Sequence, residues 1–187
     1  NIIDNDVELI SFLKDFASLK GPKILVHGGG KSATKLANKM NIPVQMTDGR
    51  RVTDAETLEI VTMVYAGKIN KNIVAILQSF NCNSIGFSGA DGNTIIAKKR
   101  PKLTIDYGFV GDVEKVNINV VNMLLNNGIS NIFSAISHDE KGQLLNINAC
   151  LLYTSDAADD MQCVDLGGRR IIKKTCSHLD PPRWKTT

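Results

Sequence analysis

The chain has 187 residues, 43% of them hydrophobic and 22% charged, and carries a net charge of +3. Such a chain can bury a core of ordinary size, and its small positive balance, with no basic cluster interleaved with aromatics, argues against a nucleic-acid binder. No apolar run approaches the roughly 20 residues of a membrane span and no signal-type stretch is visible, so no membrane contact and a cytoplasmic location are expected.

Asp6 to Ser18 reads as an amphipathic helix, with Leu9, Ile10, Leu13, Phe16 and Ala17 on one side and Gly21-Pro22 as its stop. Lys23 to Val26 reads as a short buried strand, followed by Gly28-Gly29-Gly30 and a helix from Lys31 to Lys39. A strand that feeds a glycine run and then a helix presents bare N–H groups at a positive helix end, which favours anions. Three consecutive glycines exceed what a simple turn needs. The spacing fits neither the Walker loop nor the dinucleotide fingerprint. His27, between the apolar strand and the glycines, reads as structural.

Ile42 to Gly49 is irregular or short-stranded, and Asp48-Gly49 signals a turn. Thr53, with Glu56 three residues on, reads as a capping box that opens a helix to about Tyr65, closed by Gly67. Asn70 to Gln78 reads as a second helix and Ser84 to Phe87 as a strand. Gly89 to Asn93 is a loop in which Asp91 and Asn93 fit a turn better than a metal site. Extended segments follow at Thr94–Lys98 and Phe109–Val116, then a helix over Asn119–Asn126 ended by Gly128. Asn131 to Ile136 is a strand, His138 to Gly142 a turn, and Gln143 to Asn148 another extended segment. Alternating strands and helices predict an α/β sandwich with a largely parallel sheet, whose ligands sit outside the carboxyl ends of the strands. The glycine loop and the residues after Ile136 lie at such ends.

Several ordered motifs carry a resemblance. Val26-His27-Gly28-Gly29-Gly30, Gly49-Arg50-Arg51-Val52-Thr53, Ala66-Gly67-Lys68-Ile69-Asn70-Lys71, Gly86-Phe87-Ser88-Gly89-Ala90-Asp91-Gly92 and Gln143-Leu144-Leu145-Asn146-Ile147-Asn148-Ala149 together resemble the acetylglutamate kinases of the amino-acid kinase family. The likeness covers residues 1–149 nearly without a gap. It implies the N-terminal half of a three-layer αβα sandwich. It also implies phosphoryl transfer from ATP, with Mg2+ carried by the nucleotide, to the side-chain carboxylate of N-acetyl-L-glutamate in arginine biosynthesis. By that resemblance Gly29 and Gly30 hold the transferring phosphoryl group and the acceptor carboxylate. Arg51 and Asn146 hold the amino-acid end of the substrate, and the parent pairs as a homodimer through this half. The physics agrees: a guanidinium fork suits a carboxylate, and phosphoryl transfer needs positioning and charge neutralisation. For the residues alone, Arg51 pairing with Asp48 or Asp54, and Asn146 as a satisfied strand-end amide, stay open.

The sequence departs from the family at two places. The family's first strand, with its Lys and Gly pair, has no counterpart before Asn1. Cys150 stands where the family has the Asp that orients its catalytic lysines, and nothing beyond it matches the nucleotide-binding half. No catalytic residue is therefore assigned, and the chain itself is expected to be inactive. Cys150 to Asp159 and Cys163 to Lys174 resemble translated sequencing adapter, so residues 150–187 are expected to be a non-native, disordered tail that does not pack on the domain. The spacing of 13 residues between Cys150, Cys163 and Cys176 suits neither a zinc site nor a redox pair, so no metal is expected. Two other readings are an N-succinylglutamate or other acyl-amino-acid kinase, and a non-catalytic acyl-amino-acid-binding or dimerising module.

Overall fold

A computed structural model describes residues 2–47, 49–102 and 104–148, and the backbone of 162–165. A single 3-10 turn, Ile2–Asp4, precedes helix α1, Asp6–Ser18. The Asn5 side chain accepts hydrogen bonds from the N–H groups of Val7 and Glu8, satisfying two of the donors a helix start leaves open. Leu9, Leu13 and Phe16 are buried on one stripe, but Ile10 is 46% exposed, so the apolar face is narrower than its sequence suggests. Strand β1, Lys23–His27, is buried along its whole length. Its first residue is charged and still buried, because Lys23 Nζ donates to the carbonyls of Ala17 and Leu19 at the end of α1.

Helix α2 spans Gly30–Lys39. A two-residue hairpin follows, β2 (Met46–Thr47) against β3 (Arg50–Arg51). Helix α3, Ala55–Thr62, begins one residue later than the capping box implies. Asp54 is its cap, accepting from Thr57 N–H at 2.8 Å. That frees Thr53 for other work. Gly67 does not end the helical run. A wider-pitched π segment, Met63–Ile69, carries the chain without a break into α4, Asn70–Ser79. The two predicted helices thus form one run of 25 residues, Ala55–Ser79, in which an 18-residue window reaches a mean hydropathy of 1.3, enough by length and composition alone to cross a membrane. Glu56, Glu59, Lys68 and Lys71 interrupt the run, so it is no continuous apolar stretch. The apolar side chains serve the protein interior: Leu58, Ile60, Val61, Val64, Ile69, Ile73 and Leu77 are all buried. Such a π insertion shifts the register of the following turns, and is frequent at functional sites.

Strand β4 is Ser84–Phe87, β5 is Ile95–Lys99 and β6 is Val110–Val116. Helix α5, Ile118–Asn126, is capped by Asn117. The predicted strand at 131–136 divides into β7, Ser130–Ser134, and β8, Ile136–His138, with β9 at Leu144–Ile147 and β10 at Gln162–Asp165. The main sheet is wholly parallel, in the order β10-β1-β7-β4, and β5, β6, β9 and β8 close into a small mixed barrel. The sheet lies between helices. Asn131 of β7 donates its side-chain amide to Val121 O of α5. Gly86, which pairs with the next β7 residue, Ile132, has Asn70 of α4 where a Cβ would stand. Successive strand residues point to opposite faces, so α4 and α5 cover the two sides and the predicted three-layer arrangement is realised.

Gln162–Asp165 belong to the segment expected to stay off the domain, yet they run beside β1, Lys23 opposite Gln162 to Val26 opposite Asp165. Parallel pairing of this kind uses backbone groups, so an open strand edge accepts it with little regard to side chains. The remaining residues of that segment, Cys150 among them, lie outside the described residues.

Candidate functional site

The site is assembled where β1 and β7 end. His27 O accepts from Ala135 N–H, and Ala135 O accepts from Ile147 N–H, which ties the barrel onto the carboxyl edge of the sheet. Gly28, Gly29 and Gly30 leave that edge and enter α2. The three glycines serve different ends. Around Gly28 there is open space where a Cβ would be. A Cβ on Gly29 would lie 2.2 Å from Ile69 Cδ1 and 3.0 Å from Tyr65 Cδ1, so the π segment packs directly on this residue. A Cβ on Gly30 would lie 3.9 Å from both Arg51 Nη2 and Tyr65 Oη.

Arg51 reaches across to the loop. Its Nη2 donates to Gly30 O and to Thr34 Oγ1, each at 2.8 Å. Asp54 is not its partner, because it caps α3; Asp48 lies outside the described residues. Among the described residues no carboxylate pairs with Arg51, and its Nη1 is buried without a hydrogen-bond acceptor. A buried, charged donor left open is costly, and a ligand acceptor would satisfy it. Tyr65 stands beside this guanidinium. Burial pushes its phenol above the ordinary value, while the charge of Arg51 and a hydrogen bond to it pull the other way, so the hydroxyl stays protonated at neutral pH.

Asn146 joins the same cluster from β9. Its side-chain amide donates to Thr53 Oγ1 at 3.1 Å, and Thr53 lies two residues beyond Arg51. Thr53 is itself clamped: its N–H donates to Tyr107 O, and its carbonyl accepts from Phe109 N–H. Gly108 passes so close that a Cβ there would lie 2.2 Å from Thr53 O, and its φ of +70° also favours glycine. The structure therefore brings Gly29, Gly30, Arg51 and Asn146 to one place, with Thr53 as the hinge between the last two. Asp91 is occupied as a turn residue, accepting from Ser88 N–H and Oγ.

Behind the loop lies a buried relay that the sequence did not announce. His27 Nε2 is 3.0 Å from Asn70 Nδ2, and His27 Nδ1 is 3.0 Å from Gly28 O. Asn70 also donates to Ile132 O at 2.9 Å. Burial lowers the His27 pKa to about 4 against the opposing pull of its bond to Gly28, so the ring is neutral at pH 7. The linkage has a definite sign. Between pH 6.5 and about 4 the unfolded chain binds a proton at this site and the folded one does not. Stability from His27 is fully present above pH 6.5 and is lost as pH falls through that window, by about 3 kcal/mol in all. The lowered carboxylates Asp112 and Asp139, held down chiefly by the Arg100 bond and by backbone N–H groups respectively, act below the ordinary Asp value and not in this window. Urea unfolding at pH 7 and pH 4.5 is expected to show the loss, and an NMR titration should show His27 unprotonated at pH 5. Equal stability at the two pH values would contradict the burial assigned to the ring.

A parallel sheet that delivers a glycine loop to its carboxyl edge, opposite an open guanidinium and an amide, defines an α/β domain with polar donors grouped at that edge. The chain belongs to the amino acid kinase family, whose sequence pattern matches residues 1–156. It is 61% identical over 150 residues to an acetylglutamate kinase of Cytophaga hutchinsonii, an alignment that covers 80% of this chain and 57% of that protein. It is 50% identical over 148 residues to an acetylglutamate kinase of Bacteroides thetaiotaomicron, covering 79% of this chain and 58% of that one. A crystal structure of a Streptococcus mutans protein, smu.665, superposes with a TM-score of 0.70 at 28% identity, over 79% of this chain and 60% of that chain. The chain thus spans little more than half the length of the curated relatives it matches.

Proposed function

We propose that this chain carries the acyl-amino-acid site of a kinase that phosphorylates the side-chain carboxylate of N-acetyl-L-glutamate, a step of arginine biosynthesis carried out in the cytoplasm. One observation carries the reading: Arg51 is held by one amine on Gly30 and Thr34 while its other amine, Nη1, is buried with no acceptor. A substrate carboxylate fits that vacancy with a charge-assisted bond. In the reaction, an oxygen of the acceptor carboxylate forms a bond to the γ-phosphorus of ATP. The bond from that phosphorus to the bridging oxygen breaks, and ADP leaves. The N–H groups of Gly29 and Gly30 face the charge that builds during transfer, Arg51 and Asn146 fix the amino-acid end, and magnesium arrives with the nucleotide. The similarity to acetylglutamate kinases supports the choice of acceptor. The test is a full-length protein carrying this sequence, given ATP, magnesium and hydroxylamine. Hydroxamate should form with N-acetyl-L-glutamate and not with free L-glutamate. Failure with both would overturn the reading.

The same reading includes pairing of two copies across a two-fold axis, the commonest homo-oligomer symmetry. Most of the apolar surface of α3 is used inside the domain, Ile60 being 1% exposed, and the outward apolar residue is Met63, which opens the π segment and is 51% exposed. Met63→Glu in the full-length protein is expected to give folded monomers by sedimentation. A parent that already sediments as a monomer at micromolar concentration would remove the dimer from the account.

A further inference from the structure

We infer that His27, fixed by Asn70, is a positioning residue that turns the Gly28–Gly29 peptide so that the Gly29 N–H is presented to the transferring group. The inference rests on the phosphoryl-transfer reading for what the N–H meets, but not for how the peptide is turned. It begins with Asn70, which is fully buried. Its Nδ2 lies 2.9 Å from Ile132 O and its Oδ1 lies 3.3 Å from Lys71 Nζ. The opposite amide orientation would set oxygen against the Ile132 carbonyl and nitrogen against the Lys71 ammonium, so the amide can sit only this way. Its second amide hydrogen then points at His27 Nε2, 3.0 Å away.

A nitrogen that accepts cannot carry the proton. The neutral ring therefore holds its hydrogen on Nδ1, which donates to Gly28 O at 3.0 Å. The other tautomer would set N–H against N–H on one side and lone pair against carbonyl on the other, both out of water. The consequence reaches the loop through the geometry of one peptide. Its C=O and N–H point in opposite directions in a trans peptide, and no peptide among the described residues is cis. With Gly28 O drawn in to the ring, the Gly29 N–H must point away from it. Among the described residues no acceptor is hydrogen-bonded to that N–H, and the space beside Gly28 is open. The donor is thus oriented beforehand and needs no rearrangement when charge develops in front of it.

Gly86 completes the device. A Cβ there would lie 1.8 Å from Asn70 Oδ1, so the strand must leave that position bare for the amide to sit where it does. His27 touches no reacting atom in this scheme; it works through Gly28.

Two measurements test it. In the full chain at neutral pH, nitrogen NMR of the His27 ring should show the hydrogen on Nδ1. A ring protonated on Nε2 would overturn the inference whatever the protein catalyses. In a full-length protein carrying this sequence, Asn70→Leu keeps the volume but frees Nε2. Its kcat should fall by about tenfold or more, with both KM values within about threefold of the parent. A folded variant with unchanged kcat would overturn the inference, and if it fails to fold the ring NMR of the parent decides. If the parent forms no acyl phosphate while its ring shows hydrogen on Nδ1, the reading of function fails and the turned peptide stands.

Discussion

Arg51→Ala, made in a full-length protein carrying this sequence, is expected to raise KM for N-acetyl-L-glutamate by about tenfold or more and to leave KM for ATP within about threefold. The reason lies in how the guanidinium is divided. Nη2 is engaged by Gly30 O and Thr34 Oγ1, which fixes the plane of the group. Nη1 is buried and open. A charge-assisted bond to a carboxylate contributes roughly 1.5–3 kcal/mol, which corresponds to tenfold or more in binding. Nothing in that contact concerns the nucleotide. Arg51→Lys should recover little, because an ammonium keeps the charge but cannot grip the loop and the ligand with separate nitrogens. Equal rises in both KM values would show that Arg51 holds the loop and not the substrate.

Gly86→Ala is expected to be among the most damaging single-methyl additions in the chain. The new carbon would stand 1.8 Å from Asn70 Oδ1 and 2.8 Å from its Cγ. Asn70 cannot move aside cheaply, since it is fully buried and bonded to both His27 and Ile132. Displacing it leaves a buried ring nitrogen and a carbonyl unpaired at about 1–3 kcal/mol each, on top of the overpacking. A loss of about 3–5 kcal/mol is expected, a large part of a typical domain's stability. Gly67→Ala is the control. It has open space around its Cα in the middle of the helical run, so it should cost nothing and could stabilise by about 0.5–1 kcal/mol. Urea midpoints of the two variants separate them. A Gly86→Ala protein as stable as its parent would remove the relay from the account.

Local chemistry made much of this legible in the sequence. The bounds of α1 follow from its apolar spacing and the Gly21-Pro22 stop, and the strand, glycine loop and α2 appear where the sequence places them. Of the residues named for the site, Arg51 bonds to Gly30, while Asn146 bonds to Thr53, which is not among them. What stayed hidden depends on contacts between distant positions. The cap on α3 is Asp54 and not Thr53, because Thr53 is held by the 107–109 loop and by Asn146, far along the chain. Gly67 looks like a stop, but the π segment absorbs it so that Tyr65 and Ile69 can pack on Gly29. His27 and Asn70 are 43 residues apart, and no periodicity marks such a pair. The available sign is a polar residue, Asn70, inside the buried stripe of Ile69, Ile73 and Leu77.

The most direct test of the site is an NMR titration of this protein with N-acetyl-L-glutamate. The backbone signals of Gly29 and Gly30 and the side-chain signals of Arg51 and Asn146 should shift together and saturate at one ligand concentration, and free L-glutamate should move them far less. Shifts confined to other surfaces, or an Arg51 guanidinium that does not respond, would contradict the assignment of these residues as the acyl-amino-acid site.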